Sequence, residues 1–511
     1  MSAVQETDVL IVGSGPVGSA FARFISERTK ARILIVETGP QITPTAGRNV
    51  RNLAPQERLD AYARTKQSRA VPPVPTDLAP DAVVARAGTY LVDTHARMSG
   101  PGMPAAVVAS NVGGMGALWT CACPRPADSE AISWIDAKIM DGAFAEAERV
   151  LSVTQQAFRS TAAGDYVREV LAERFDEGRA EHRRIQPMPL ACKPTGGRLP
   201  VWSGADTVLG DLAEPEGRAA AGVEILAETH CRRLIVSGDK IEGVEVVDLR
   251  TNEVREIRAR VVVVAADPLR TPQLLWASGI RPNALGRYLN DQPQVVSLIE
   301  LRPDHDWERG DTNGLQDRRD AVTGVSWVPF DEGTSFPFHG QVMQLDASPV
   351  DVQLGPDMLG RPIVGFGLYL PKDIRAEDRI EFSEEAVDTL GMPAMTIRYG
   401  LTPADREHVA QAVEIINDVA GRLGRFVPGG EAKECPAGYS IHYQGSHRVG
   451  PSDDGTSVCD AESRVWGLSN LFLGGNGNIP TAIACNPTLT SVALASIASA
   501  RIVADLESGR L

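Results

Sequence analysis

The run Gly13-Ser14-Gly15-Pro16-Val17-Gly18 constrains the fold of this chain more than any other feature. It follows a short apolar run at 8–12 and opens a segment at 16–25 in which Val17, Ala20, Phe21 and Phe24 recur with helical spacing. A second apolar run, at 32–36, ends in Glu37. Strand, glycine turn, helix and strand make a βαβ unit, whose parallel strands belong in a sheet covered by helices. The spacing is that of a dinucleotide cradle. Gly13 permits the tight turn, Gly15 admits a pyrophosphate to the backbone, and Gly18 lets the helix lie close to the strand. The helix N-terminus attracts phosphate charge, and Glu37 accepts hydrogen bonds from a ribose while repelling the extra phosphate of NADP. The motif does not separate FAD from NAD, and its bland alternative is a glycine-rich turn that binds nothing.

With 511 residues, 43% of them hydrophobic, the chain has material for two or three structural units. A net charge of -15 supplies no basic field for nucleic acid or anionic lipid, so neither is expected as a partner. The cysteines at 121, 123, 192, 231, 435, 459 and 485 show no metal-ligand spacing, and their odd number argues against a disulfide framework. No metal is expected, and the compartment reads as reducing. No basic segment followed by an apolar one precedes residue 8, and the longest apolar runs, such as 261–266, fall far short of the ~18 residues that cross a bilayer. A cytoplasmic protein is expected.

Residues 41–103, rich in Pro, Arg and Asp, read as loops and excursions. At 111–126, Gly113, Gly114 and Gly116 precede Trp119, Thr120 and Cys121, a pattern for backbone laid against something flat. Helices are expected at 136–157, 165–175, 271–278, 403–423 and 486–506, and strands at 223–226, 231–237, 242–248 and 259–265. Alternating segments at 322–328, 340–345, 363–370 and 395–398 point to a mixed sheet that walls a substrate site. The stretch 346–360, rich in Asp, Pro and Gly, reads as a loop that closes over the substrate.

Two polar residues near the C-terminus carry chemistry. His447 lies in Gly445-Ser446-His447-Arg448-Val449-Gly450, a glycine-flanked turn. A neutral imidazole there takes a proton from an alcohol as the carbon loses hydride. His442 is a rival base, and a loop histidine satisfied by backbone is the bland reading. Asn486-Pro487-Thr488 has the form of a helix start, whose free N–H groups and positive dipole end suit the electron-accepting ring of a reduced flavin. Equally, Asn486 merely caps the helix.

These segments together resemble the glucose-methanol-choline (GMC) oxidoreductases, and within them the pyranose oxidase branch. The resemblance is carried by Gly13 to Gly18 with Glu37, by 112–125 (VGGMGALWTCACPR), by 445–450, by 470–482 (NLFLGGNGNIPTA) and by 486–490 (NPTLT). It implies an α/β fold: a Rossmann-like FAD-binding domain of the GMC and p-hydroxybenzoate hydroxylase kind, with a second, mixed-sheet substrate-binding domain. The cofactor unit is expected to draw on 1–60, 105–130, 200–290 and 440–511, and the substrate unit and excursions on 61–104, 131–199 and 291–439. His447 and Asn486 are implied as the catalytic pair, in contact with substrate. Gly114, Thr120, Cys231, Asn476, Pro487 and Thr488 are implied on the cofactor, Cys231 by its backbone on the adenine side. Gln341 aligns with a sugar-binding residue. Fungal members carry a flavin-linking histidine where this chain has Leu118, which implies a non-covalent FAD. The segment 292–341 is short compared with fungal relatives, which leaves the oligomeric state open, a monomer included. The implied reaction is oxidation of a C2 or C3 hydroxyl of a sugar or glycoside to a keto-sugar, with O2 or a quinone as acceptor. An NAD-dependent dehydrogenase and a non-catalytic flavin-binding module are the alternatives.

Overall fold

The computed structural model describes residues 5–71, 87–92, 102–158, 160–195, 199–302, 324–333, 337–344 and 361–511. The loop expected at 346–360 lies outside them. Two seven-stranded sheets organise the chain.

In the first sheet, Gln5–Val12 lies between Val254–Val264 and Ile33–Val36, parallel to both, and Val223–Leu226 extends the sheet beyond Ile33–Val36. Leu471–Leu473 pairs in parallel with the end of Val254–Val264. The start of that long strand pairs antiparallel with Lys240–Asp248, which forms a hairpin with Thr229–Ser237. Side chains alternate between two cores, as the pleat requires. Val9, Ile11, Ile33, Ile35, Val261 and Val263 face Phe21, Phe24, Leu489 and Val492 on one side. Leu10, Val12, Leu34, Val36, Val262 and Val264 face Leu234, Val246 and Leu274 on the other. Burial of both faces explains why these strands are continuous Val, Ile and Leu.

Helix Pro16–Ser26 follows the first strand as expected, and Thr488–Glu507 packs beside it. The latter is long and apolar enough to cross a membrane, contrary to the expectation of no such segment, but 72% of its most apolar window is buried in the protein. Helix Ala137–Leu151 stops short of residue 157 because the chain reverses at Ser152, φ 57°, and residues 153–154 join a small sheet.

The second sheet runs through Gly424–Phe426, Gln294–Leu301, Ile363–Tyr369, His339–Gln344, Val325–Val328 and Gln186–Pro187. Its described pairs are all antiparallel, where the sequence suggests a mixed sheet. Alternation reports that one face is buried and is silent on strand direction. Val295, Ile299, Val342, Val364 and Phe366 pack under helix Pro403–Leu423. The opposite face carries three cross-strand rows: Gln294, Tyr369 and His339; Val296, Gly367 and Gln341; Leu298, Gly365 and Met343.

Candidate active site

A cavity of about 1170 Å³ runs from the glycine turn to that opposite face. Residues 12–17, Glu37 and Thr38 line one end. A Cβ on Gly13, whose φ is +100°, would stand 2.3 Å from the Ala265 carbonyl oxygen, and one on Gly18 would stand 2.0 Å from that of Gly13. Close packing therefore demands both glycines, and Gly18 stays off the cavity wall. Gly15 differs, because nothing lies within 4 Å of the place its Cβ would occupy. It opens onto space beside a helix N-terminus that has no side-chain cap, so backbone donors remain for an anion.

Glu37 is buried, and burial pushes its carboxyl above the usual range. Its Oε2 accepts from Ser14 N at 3.1 Å and Ser14 Oγ at 2.6 Å, and its Oε1 from Gly39 N at 2.9 Å. Ser14 Oγ also accepts from Gly113 N at 2.9 Å, tying the turn to the second glycine segment. Sequence reasoning passes over Ser14 because it occupies a free position of the motif.

Gly114, Leu118, Thr120, Asn476 and Thr488 line the middle of the cavity. Ser491 Oγ holds Asn476 Oδ1 at 2.6 Å. Cys231 turns its side chain into the core with Leu234 and Val246, and the role expected of it is one of backbone. Pro487 lies off the wall. It occupies the capping position of Thr488–Glu507, and no side chain caps that helix, so Asn486 is not its cap.

Asn486 and His442 line the far end, with Asn486 Nδ2 3.2 Å from His442 Nε2. The expected base, His447, is not part of this wall. Its ring is fully buried against Gly477, where a Cβ would come within 2.0 Å of Cε1, and burial pushes its pKa down to about 3. The chain turns between the two histidines at Gly445, φ +83°, where a Cβ would strike the Tyr288 carbonyl oxygen at 2.3 Å. Of the two candidates, only His442 reaches the cavity.

Gln341 is likewise behind the wall rather than on it, 2% exposed. Its Nε2 donates to Asn486 Oδ1 at 2.7 Å, so it positions the asparagine. Strand 294–301 brings two polar residues to the cavity, Gln294 and Ser297, and neither Gln294 Oε1 nor Ser297 Oγ has a hydrogen-bond partner among the described residues. Beside them, Gly365 and Gly367 leave the sheet bare. No atom lies within 3.4 Å of where their Cβ atoms would be, and neither has positive φ, so neither packing nor conformation requires glycine there.

Two buried carboxylates hold the loops of the pair. Glu130 accepts from Ala484 N at 2.7 Å, Cys485 N at 2.9 Å and Ala127 N at 3.0 Å. Burial outweighs these donors and pushes its pKa up to about 7. Asp291 accepts from Gly438 N at 3.0 Å and from Ser440 Oγ, which itself accepts from His442 N at 3.0 Å. Burial takes Asp291 up to about 6. Between Ser440 and His442, Ile441 sits at φ +60°, a strained conformation for a β-branched residue.

Residues 202–294 and 375–495 match family models described as GMC oxidoreductase. The chain is 45% identical to a C-glycoside 3-oxidase of Microbacterium trichothecenolyticum, over 98% of this chain and 97% of that one. It is 43% identical to a C-glycoside 3-oxidase of Arthrobacter globiformis, over 99% and 96%. The chain belongs to the GMC oxidoreductase family. A pyranose 2-oxidase of Tricholoma matsutake is 31% identical over 96% of this chain and 93% of that one. The pyridoxine 4-oxidase structure from Mesorbium loti shares the fold, with a TM-score of 0.63 at 16% identity over 97% and 98% of the two chains.

GMC oxidoreductases are FAD flavoproteins, which displaces the NAD alternative. The residues of this GMC oxidoreductase fit that cofactor: the bare Gly15, the uncapped helix end, Glu37 and the continuous cavity leading to His442.

Proposed function

We propose that this GMC oxidoreductase oxidises the C3 hydroxyl of a glycoside, C-glycosides included, to a ketone, with His442 as the base. The observation that carries the reading is the His442 and Asn486 pair, which faces one cavity shared by the dinucleotide cradle and the bare sheet. Bound FAD supplies the oxidant for the carbon-bound hydrogen and its two electrons. Nε2 of His442 removes the hydroxyl proton, and the Asn486 amide orients the oxygen. Asn486 is buried and His442 half-buried, where a hydrogen bond is stronger than in open water. The choice of C3 over C2 is supported by the names of the 45% and 43% identical relatives.

The reading includes a non-covalent FAD, because Leu118 on the cavity wall has no nucleophilic nitrogen. Its acceptor is O2 or a quinone. The division into cofactor and substrate units given above is supported by the separation of the two sheets. The test is anaerobic mixing with free sugars, O-glycosides and C-glycosides, followed by NMR of the product. Bleaching of the flavin by C-glycosides with a 3-keto product is expected. A 2-keto product, or bleaching by free sugars alone, overturns the assignment.

A further inference from the structure

The pair belongs to a string of six polar side chains whose two ends impose opposite polarity. At one end Gln292 Nε2 donates to the carbonyls of Ile483 and Cys485, both at 2.8 Å. Carbonyls only accept, so the amide cannot be reversed, and its Oε1 faces His442 Nδ1 at 2.6 Å. Nδ1 must carry a proton, which leaves Nε2 of a neutral ring bare. Asn486 Nδ2 then donates to that Nε2, and Gln341 Nε2 donates to Asn486 Oδ1.

At the other end Trp327 Nε1, which only donates, bonds His339 Nδ1 at 2.9 Å. His339 is fully buried, and burial pushes its pKa down to about 3, so its single proton is forced onto Nε2. That Nε2–H faces Gln341 Nε2 at 2.9 Å, donor against donor, with the Asn486 side chain as a further, weaker partner. Reversing the Gln341 and Asn486 amides removes the conflict. Gln341 Oε1 then accepts from His339 and Asn486, and Asn486 Oδ1 faces His442 Nε2. That arrangement is satisfied only when Nε2 also carries a proton.

We propose that this string is a one-proton acceptor, complete only when His442 holds both ring protons, and that Gln292, Gln341, His339 and Trp327 are its positioning residues. The proton is the one the hydroxyl releases: the O–H bond breaks, Nε2–H forms, and the two amides reverse. The proposal rests on His442 as base, but its test needs no substrate and so fails or succeeds separately from that reading.

The test is nitrogen-15 NMR of histidine-labelled holoprotein across a pH titration, where ring shifts distinguish the two neutral tautomers from the cation. Wild-type His442 is expected as the Nδ1–H tautomer. Trp327→Phe removes the opposing donor, relieves the neutral state and lowers the proton affinity of His442 about tenfold. Gln341→Met cuts the string and acts in the same direction if Trp327→Phe does not fold. Gln292→Met mixes the tautomers. Around His442 lie Tyr369, its ring centroid 5.6 Å away, Asp291 beneath the loop, and the exposed Glu431 and Lys433 on the cavity wall, all left in place by these variants. A purely structural role for Trp327 lowers the melting temperature and leaves the His442 titration unmoved. That result in the folded variants, or an Nε2–H tautomer in the wild type, overturns the proposal.

Discussion

His442 Nε2 and Asn486 Nδ2 meet at 3.2 Å although their loops are moored to different buried carboxylates. Asp291 holds 438–442 through Gly438 and Ser440, and Glu130 holds 484–485 through two backbone N–H groups. The geometry of the pair is set by contacts remote in sequence, and the strain at Ile441 is held by the same mooring.

Replacing His442 with Ala is expected to slow flavin reduction by about 100-fold or more, with FAD retained. His447→Ala removes a buried ring instead. It is expected to cost about 1–3 kcal/mol of stability and to leave reduction in the folded protein near the wild-type rate. Stopped-flow reduction and thermal melting of both variants separate the two histidines; the reverse pattern restores His447 as the base.

Glu130 gives a stability signature in pH. Its folded pKa of about 7 lies above the ordinary 4.5, so its stabilising contribution is complete below about 4.5 and is lost as pH rises through about 7. The loss amounts to about 3 kcal/mol. Glu130→Gln, which stays neutral, is expected to melt progressively above the wild type between pH 5 and 8. Calorimetry showing a pH-independent difference contradicts this.

Gly367 lies on the bare part of the sheet. Gly367→Leu fills that space, and the KM for a glycoside with a bulky aglycone should rise at least about tenfold while FAD content is unchanged. Equal effects on large and small substrates would place the substrate elsewhere.

Ser14 connects Glu37 to the Gly113 segment through one hydroxyl. Ser14→Ala is expected to weaken FAD binding by about tenfold, read from recovered flavin fluorescence on dilution. An unchanged dissociation constant removes Ser14 from the cradle.

The cradle was legible because a dinucleotide turn is local: Gly13, Gly15, Gly18 and Glu37 all lie within one βαβ unit. The bare sheet face was half legible, since alternation locates strands without their direction or register. The base was read as His447, whereas His442 is the one that faces the cavity: the two share one short segment, and the backbone reversal at Gly445 separates them. Glu130, Gln292 and Gln341 act across long stretches of chain, and nothing near them in sequence announces a partner. Asn486 resembled a cap because Asn before Pro commonly is one; here its amide is engaged by Gln341 and His442 instead.

The strand that leads into the glycine turn finds its parallel neighbour in Val254–Val264, which is completed in turn by Leu471–Leu473. A contiguous fragment must run from residue 5 to residue 264 before it carries the nucleotide cradle with both flanks of its central strand. Excising the leading residues as a portable flavin module would leave Val9 to Val12 with one bare edge, a template for aggregation rather than a binding domain.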